Sequence, residues 1–158
     1  LGKALGGGIL PIAAVIARPD RDNGGDWAFG DYTHEKNPVS ARAALTTIEI
    51  IEDEGLVENA AHVGALAMER LDAMKHRHQV IGDVRGRGLL IGVELVTDRD
   101  SKAPANDLAE AVMYRALDSG LSFKTSMGNV LTLTPPLTVT EAQMQQALDI
   151  IDAALSGG

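Results

Sequence analysis

Cysteine is absent from the chain, which removes two kinds of chemistry at once: disulfide cross-links and thiolate metal sites. Positive charge is in short supply. Fourteen Lys and Arg face 22 Asp and Glu, a formal net charge of −8, and no local cluster of basic residues reverses the balance. That argues against a nucleic-acid partner, whose phosphates need cations. Long apolar runs are missing too. The longest, Ile9 to Ala17, is broken by Pro11 and is too short to span a bilayer. No basic-then-apolar leader is present. His34, His62, His76 and His78 lack ligand spacing with carboxylates, so no metal site is expected. The expectation is a soluble, cytoplasmic protein with neither membrane nor nucleic-acid partner. Aromatic residues are also few: one Trp, two Tyr and two Phe. Three of them, Trp27, Phe29 and Tyr32, crowd into the Gly- and Asp-rich stretch "RDNGGDWAFGDY". A loop that holds aromatics is expected to pack on something, here another part of a larger protein or a partner subunit.

What is present reads as globular, with 45% hydrophobic and 23% charged residues over 158 positions. Ile12 to Ala17, branched or small and uncharged between prolines, predicts a short buried strand. Asn37 as N-cap and Pro38 at the first helical position open a helix with an inner face of Ala41, Ala44, Leu45, Ile48 and Ile51, which Gly55 ends. A second helix, from about Leu56 to Lys75, places Leu56, Ala60, Val63, Ala67, Leu71 and Met74 on one face. "VIGDVRGRGLLIGVELV" reads as strand, turn and strand. Asn106 is expected to cap a third helix, with Leu108, Val112 and Ala116 inward and Gly120 at its end. "GNVLTLTPPL" alternates as a half-exposed strand. Thr140 and Gln143 form a capping box for a last helix that buries Met144, Ala147, Leu148, Ile151 and Leu155. From Leu56 onward this is a compact α+β unit with a mixed or antiparallel sheet. The residues before it offer one strand, one loop and one helix, the tail of a larger domain. Ser156-Gly157-Gly158 reads as a carboxyl terminus.

"LGKALGGG" admits three readings. A phosphate-binding P-loop requires its glycines before Gly-Lys-Ser/Thr; here Gly2-Lys3 comes first, so that reading is rejected. The second is an exposed lysine beside a flexible turn. The third is a lysine held where glycines let backbone and cofactor approach closely. A Schiff-base lysine needs an uncharged amine, which burial beside a cofactor favours. Composition and spacing leave the last two open.

The stretch resembles the Schiff-base lysine segment of class III aminotransferases, pyridoxal-phosphate enzymes of the aspartate aminotransferase fold (fold type I). Lys3, Gly6 to Gly8, Pro11-Ile12 and Ala14-Val15 match the phrase "-GK-LGGG--PI-AV-". Three more motifs follow in order: Thr33 four residues before Asn37-Pro38, "-VRG-GL-IG-EL-" at Val84 to Leu95, and "-PPL-IT-" at Pro135 to Thr140, with Val139 replacing the isoleucine. The resemblance implies an α/β fold, with 1–55 the end of the large cofactor-binding domain and 56–158 the small α+β domain. It implies pyridoxal 5'-phosphate on Lys3, with Lys3 also the proton shuttle, and Thr33 on the cofactor phosphate of the neighbouring subunit. Small amines and keto acids are the implied substrates, and a homodimer or higher the implied assembly. The ring-nitrogen aspartate, the stacking aromatic and the main phosphate loop are expected outside this chain. It is thus expected to be a carboxyl-terminal fragment or truncated product, inactive alone and poorly folded before its second helix.

One departure bears on substrate. Many members carry a carboxylate-clamping arginine three residues before the first proline of "PPL"; here Thr132 stands there. "YTHEKNP" and "GNVLTLTPPL" look more like amino-lactam racemases and amino-phosphonate lyases. His34 is a candidate toward the neighbouring subunit's cofactor or substrate. For Arg85 and Arg87 the structural reading is preferred. The expected activity is transamination. The alternatives are a racemase or ammonia-lyase on the same scaffold, acting without a clamped α-carboxylate, and an inactive binding module.

Overall fold

The computed structural model describes residues 1–21, 33, 35 and 37–157. The aromatic loop Trp27 to Tyr32 and His34 therefore lie outside the described residues. The chain divides into two compact units, Leu1–Gly55 and Leu56–Gly158.

In the first unit, a 3-10 turn over Lys3–Gly6 leads to helix α1 (Pro38–Asp53). Asn37 Oδ1 accepts from the backbone N–H groups of Val39 (2.9 Å) and Ser40 (3.3 Å), and Pro38 opens the helix as expected. Gly55, at φ 60°, ends this stretch of chain in the left-handed conformation that glycine tolerates. The lysine turn is seated on α1: a Cβ on Gly7 would stand 3.4 Å from Thr47 Oγ1. Two expectations fail here. Ile12 to Ala17 forms no strand and is mostly exposed. A strand needs a ladder, and among the described residues this segment has only the exchange between Leu1 and Ala14, at 2.8 and 3.0 Å. The apolar face of α1 is also only weakly covered, with Ala44 buried but Leu45 and Ile48 exposed at 47% and 42%.

The second unit is an antiparallel sheet backed by helices. Its elements run α2 (Leu56–Arg77), β1 (Ile81–Arg87), β2 (Leu90–Asp98), β3 (Ala103–Pro104), α3 (Asn106–Asp118), β4 (Lys124–Ser126), β5 (Val130–Leu133) and α4 (Glu141–Ser156). The strand order is β1-β2-β5-β4, with β3 on β2. Ile91, Val93, Leu95, Leu131 and Leu133 alternate onto one face and join Val63, Leu71 and Met74 of α2, Val112 of α3, and Leu148 and Ile151 of α4 in one core. Gly64 lets α2 approach the β1–β2 turn so closely that an added Cβ would overlap the Gly88 backbone.

The α4 capping box forms as expected from Thr140 and Gln143. The N-cap of α3 does not: Ala105 occupies it, and Asn106 is the first helical residue. Short β3 and β4 carry too little pattern to be foreseen, and Val130, expected on an exposed face, is buried. Asn129, a buried polar residue, donates from Nδ2 to the Leu95 carbonyl at 2.9 Å and accepts the Leu95 N–H on its own carbonyl at 2.8 Å. Polar clasps join α2 and the residue after it to α4: Arg70 bonds Gln145 and Asp149, while Arg77 and His78 reach Asp152, these last two bonds at 2.5 Å. Burial pushes the Asp152 carboxyl upward, but the bonds from His78 and Arg77 outweigh it and hold it below the usual range.

Candidate active site

Lys3 stands at φ 53°, a left-handed conformation that lysine rarely adopts. Its side chain is exposed and has no partner among the described residues. The turn closes with Gly7 N–H donating to the Ala4 carbonyl at 2.9 Å, and Gly7 and Gly8 follow at φ 70° and 75°. A Cβ on Gly8 would meet nothing within 4 Å, so open space lies beside the backbone just after the lysine. A free primary amine in such a turn suits an aldehyde-bearing cofactor, and glycines free of side chains leave room for it. Thr33, also in the first unit, lies in a turn with its residue exposed, a hydroxyl able to donate to a phosphate oxygen.

Thr132 belongs to the second unit, on β5. In register it faces Gly92 of β2 on one side and Lys124 of β4 on the other, and Gly92 in turn faces Arg85 of β1. Opposed residues of antiparallel strands share a face, so Arg85, Gly92, Thr132 and Lys124 form one row across the sheet, on the face away from the core. Gly92 brings no side chain to the row, and a Cβ there would stand 3.2 Å from Val130 Cγ1. The Arg85 guanidinium donates to Asp83 (2.9 Å) and Glu94 (2.6 Å), and these bonds raise its already high pKa further. That arrangement agrees with a structural role for Arg85. Thr132 Oγ1 donates to Ser126 Oγ at 2.8 Å.

At the sheet edge a cavity of about 450 Å³ opens between the strand ends and α4, lined by Leu121, Phe123, Lys124, Thr132, Pro135 and Met144 among others. Lys124, which the sequence reading did not single out, shares this lining with Thr132, its partner in register. The only sequence signal is its place in "FKTS", five residues upstream of "NVLT". Pairing it with Thr132 requires knowing that a strand of three residues exists there. Among the described residues, no helix is long and apolar enough to cross a membrane and no cluster of His, Cys, Asp and Glu gathers as for a metal.

A mixed α/β architecture, with an antiparallel sheet backed by helices and a separate glycine-flanked lysine turn, agrees with the fold type I expectation. The chain belongs to the class-III aminotransferase family, whose pattern matches residues 1–155. It is 47% identical over 156 residues to (R)-1-hydroxy-2-aminoethylphosphonate ammonia-lyase of Vibrio splendidus, covering 99% of this chain and 33% of that protein. It is 44% identical over 154 residues to a leucine/methionine racemase of Thermococcus litoralis, covering 98% and 34%. Among solved structures it is similar to a Bacillus anthracis aminotransferase, with a TM-score of 0.86 at 31% identity, covering 99% of this chain and 38% of the other. The chain thus spans about a third of the length of the curated relatives it matches.

Proposed function

We propose that the full-length protein is a pyridoxal-phosphate-dependent aminotransferase that moves the amino group of a small amine or amino acid to a keto acid, with Lys3 as its central residue. The observation that carries this reading is Lys3 itself: an unpartnered, exposed amine on left-handed backbone, beside open glycines, inside the segment matched by the family pattern. Pyridoxal phosphate, the cofactor of class-III aminotransferases, supplies an electron-withdrawing ring that stabilises charge left on a deprotonated substrate carbon. Lys3 would hold the cofactor by bonding its Nζ to the aldehyde carbon with loss of water, and, once displaced, its Nζ would take the proton from the substrate carbon and return it. Thr33 donates its hydroxyl to the phosphate held by a neighbouring subunit, and His34 stands beside it in sequence. Residues 1–55 serve as the end of the large domain and 56–158 as the small domain, which the break between units at Gly55 supports. Exposed Ile9, Val15 and Ile16, at 87%, 97% and 79%, supply apolar surface for the rest of a homodimer or larger assembly in the cytoplasm.

Two observations favour a second reading, racemisation or loss of ammonia on the same scaffold. Thr132 replaces the arginine clamp, and the ammonia-lyase and the racemase are both among the similar proteins. One assay separates these. The full-length protein receives ¹⁵N-labelled amines, an unlabelled keto acid and deuterated water. Label in a new amino acid means transamination. Deuterium at the substrate carbon without nitrogen transfer means racemisation, and free labelled ammonia means elimination. In each case Lys3→Ala is expected to slow the reaction by about a thousandfold or more. Turnover at the wild-type rate in that variant sinks the reading.

A further inference from the structure

We propose that Ile12 is a positioning residue for Lys3, and that the segment Ile12–Ala14 is a splint laid across the two ends of the lysine turn. The proposal rests on the Lys3 reading above and adds what fixes the direction in which that amine leaves the backbone.

Lys3 needs a hold from outside itself. Its φ of 53° is unfavourable for any residue with a Cβ, and such a conformation persists only where the surroundings enforce it. The side chain does not supply that hold, being exposed and without a partner among the described residues. A flexible four-carbon stem is aimed by the backbone that carries it. Within the turn, Leu5 N–H donates to the Gly2 carbonyl at 3.2 Å and Gly7 N–H to the Ala4 carbonyl at 2.9 Å. These bonds tie the turn into one unit, so a shift at either end moves Lys3 with it.

The returning chain meets both ends. A Cβ on Gly2, which precedes Lys3, would stand 3.6 Å from Ala13 Cβ. One on Gly6, which ends the turn, would stand 3.2 Å from Ile12 Cγ2 and 3.6 Å from Leu10 Cβ. Ala14 N–H donates to the Leu1 carbonyl at 3.0 Å and Leu10 N–H to the Gly6 carbonyl at 3.2 Å, so the two passes are also joined through their backbones. Burial singles out the same contact. Gly6 is buried, and Ile12 is the one residue from Pro11 to Asp20 that is not exposed. Branching at Cβ makes isoleucine stiff at χ1, so its Cγ2 is a firmer stop than the end of a straight side chain. Lys3 bonds to an aldehyde carbon when its nitrogen replaces the aldehyde oxygen, which leaves as water. A misplacement of about 1 Å can cost a hundredfold in such a step. Contacts to the ring and phosphate do not depend on where Lys3 points.

Two probes separate these contributions on the full-length protein freed of cofactor. One is pyridoxal 5'-phosphate; the other is pyridoxine 5'-phosphate, which carries an alcohol in place of the aldehyde and cannot bond to an amine. Calorimetry measures the binding of each, and borohydride reduction followed by mass spectrometry reports how much of the first is attached at Lys3. The wild type should prefer the aldehyde, and Lys3→Ala should abolish that preference. Gly6 is not at positive φ, so alanine there is opposed by contact with Ile12 and Leu10 and not by backbone strain. Ile12→Ala, which removes the stop, and Gly6→Ala, which adds a methyl against it, should each cut the preference roughly tenfold. Pyridoxine 5'-phosphate should stay within about twofold of wild type in both, which also shows that the fold is kept. Combining the two substitutions should restore the preference to within about threefold of wild type, because the new methyl takes the space that Cγ2 has left. A wild-type preference in either single variant overturns the proposal, as does an equal loss of both probes, or losses that simply add in the double variant. No preference in the wild type removes the Lys3 reading and this proposal together, whereas a preference insensitive to Ile12 and Gly6 removes this proposal alone.

Discussion

The two units of this chain treat their apolar residues in opposite ways. Between Leu56 and Gly158, the inward residues of α2, the sheet, α3 and α4 are buried almost completely, and Leu71, Met74, Ile81, Val93, Leu131 and Leu148 have no exposed surface. Between Leu1 and Gly55, Ala44 is the one buried hydrophobic among the described residues, while Ile9, Val15, Leu45 and Ile48 face outward. Both helices have a side-chain N-cap, Asn37 for α1 and Thr140 for α4, so the presence of a cap does not separate them. The difference is whether an amphipathic face meets a partner, which is where most helix stability comes from. The second unit carries its own core; the first leaves most of its described apolar residues uncovered.

Three measurements break or sharpen that contrast. The largest effect is expected from Gly64→Ala. Its added Cβ overlaps the Gly88 backbone, which has no flexible end to move aside. It should cost about 3 kcal/mol, the top of the range for overpacking. Hydrogen exchange should show the loss in α2, β1 and β2 and leave α1 unchanged; equal loss in α1 would join the two units into one cooperative body.

A smaller effect is expected from Asp152→Asn, roughly 1–2 kcal/mol at neutral pH, since it removes the acceptor shared by Arg77 and His78. The sign with pH is definite. The folded carboxyl titrates below its ordinary value, so the stabilisation is complete above about pH 4 and disappears as the pH falls through the lowered value. Melting curves of wild type and variant should therefore converge in acid. A gap that persists at pH 2 would contradict the assignment. The smallest effect belongs to Leu45→Ala in α1, under about 1 kcal/mol, because that side chain is already 47% exposed. A cost of 3 kcal/mol in urea unfolding of the full-length protein would show that Leu45 is covered there.

Most of the second unit was legible from residue order. Its helices repeat at helical spacing over long windows, the capping box at Thr140 is a local signal, and "VRGRGLLIG" marks a hairpin. The failures share a cause. Ile12 to Ala17 has strand composition, but composition does not supply a ladder. Asn106 is a good capping residue one position past the cap, since boundaries depend on how the chain enters the helix. Lys3, Thr33 and Thr132 stand out as candidates in the sequence because each occupies a fixed place in a recognisable phrase. The pairing of Lys124 with Thr132 does not show in the sequence, because a three-residue strand has no periodicity to announce it.

The clasp between Asn129 and Leu95 has a consequence for anyone building libraries of this protein. Leu95 belongs to β2 and Asn129 immediately precedes β5, so both hydrogen bonds index one strand against the other. A slip of one residue turns Leu131 and Leu133 outward and Thr132 inward, exchanging the two faces of β5. Randomising Asn129 alongside Thr132 therefore mixes two variables, the identity of the side chain on β5 and the frame in which it is presented. Holding position 129 constant keeps the second variable fixed, so that a change in ligand preference can be assigned to the residue that was changed.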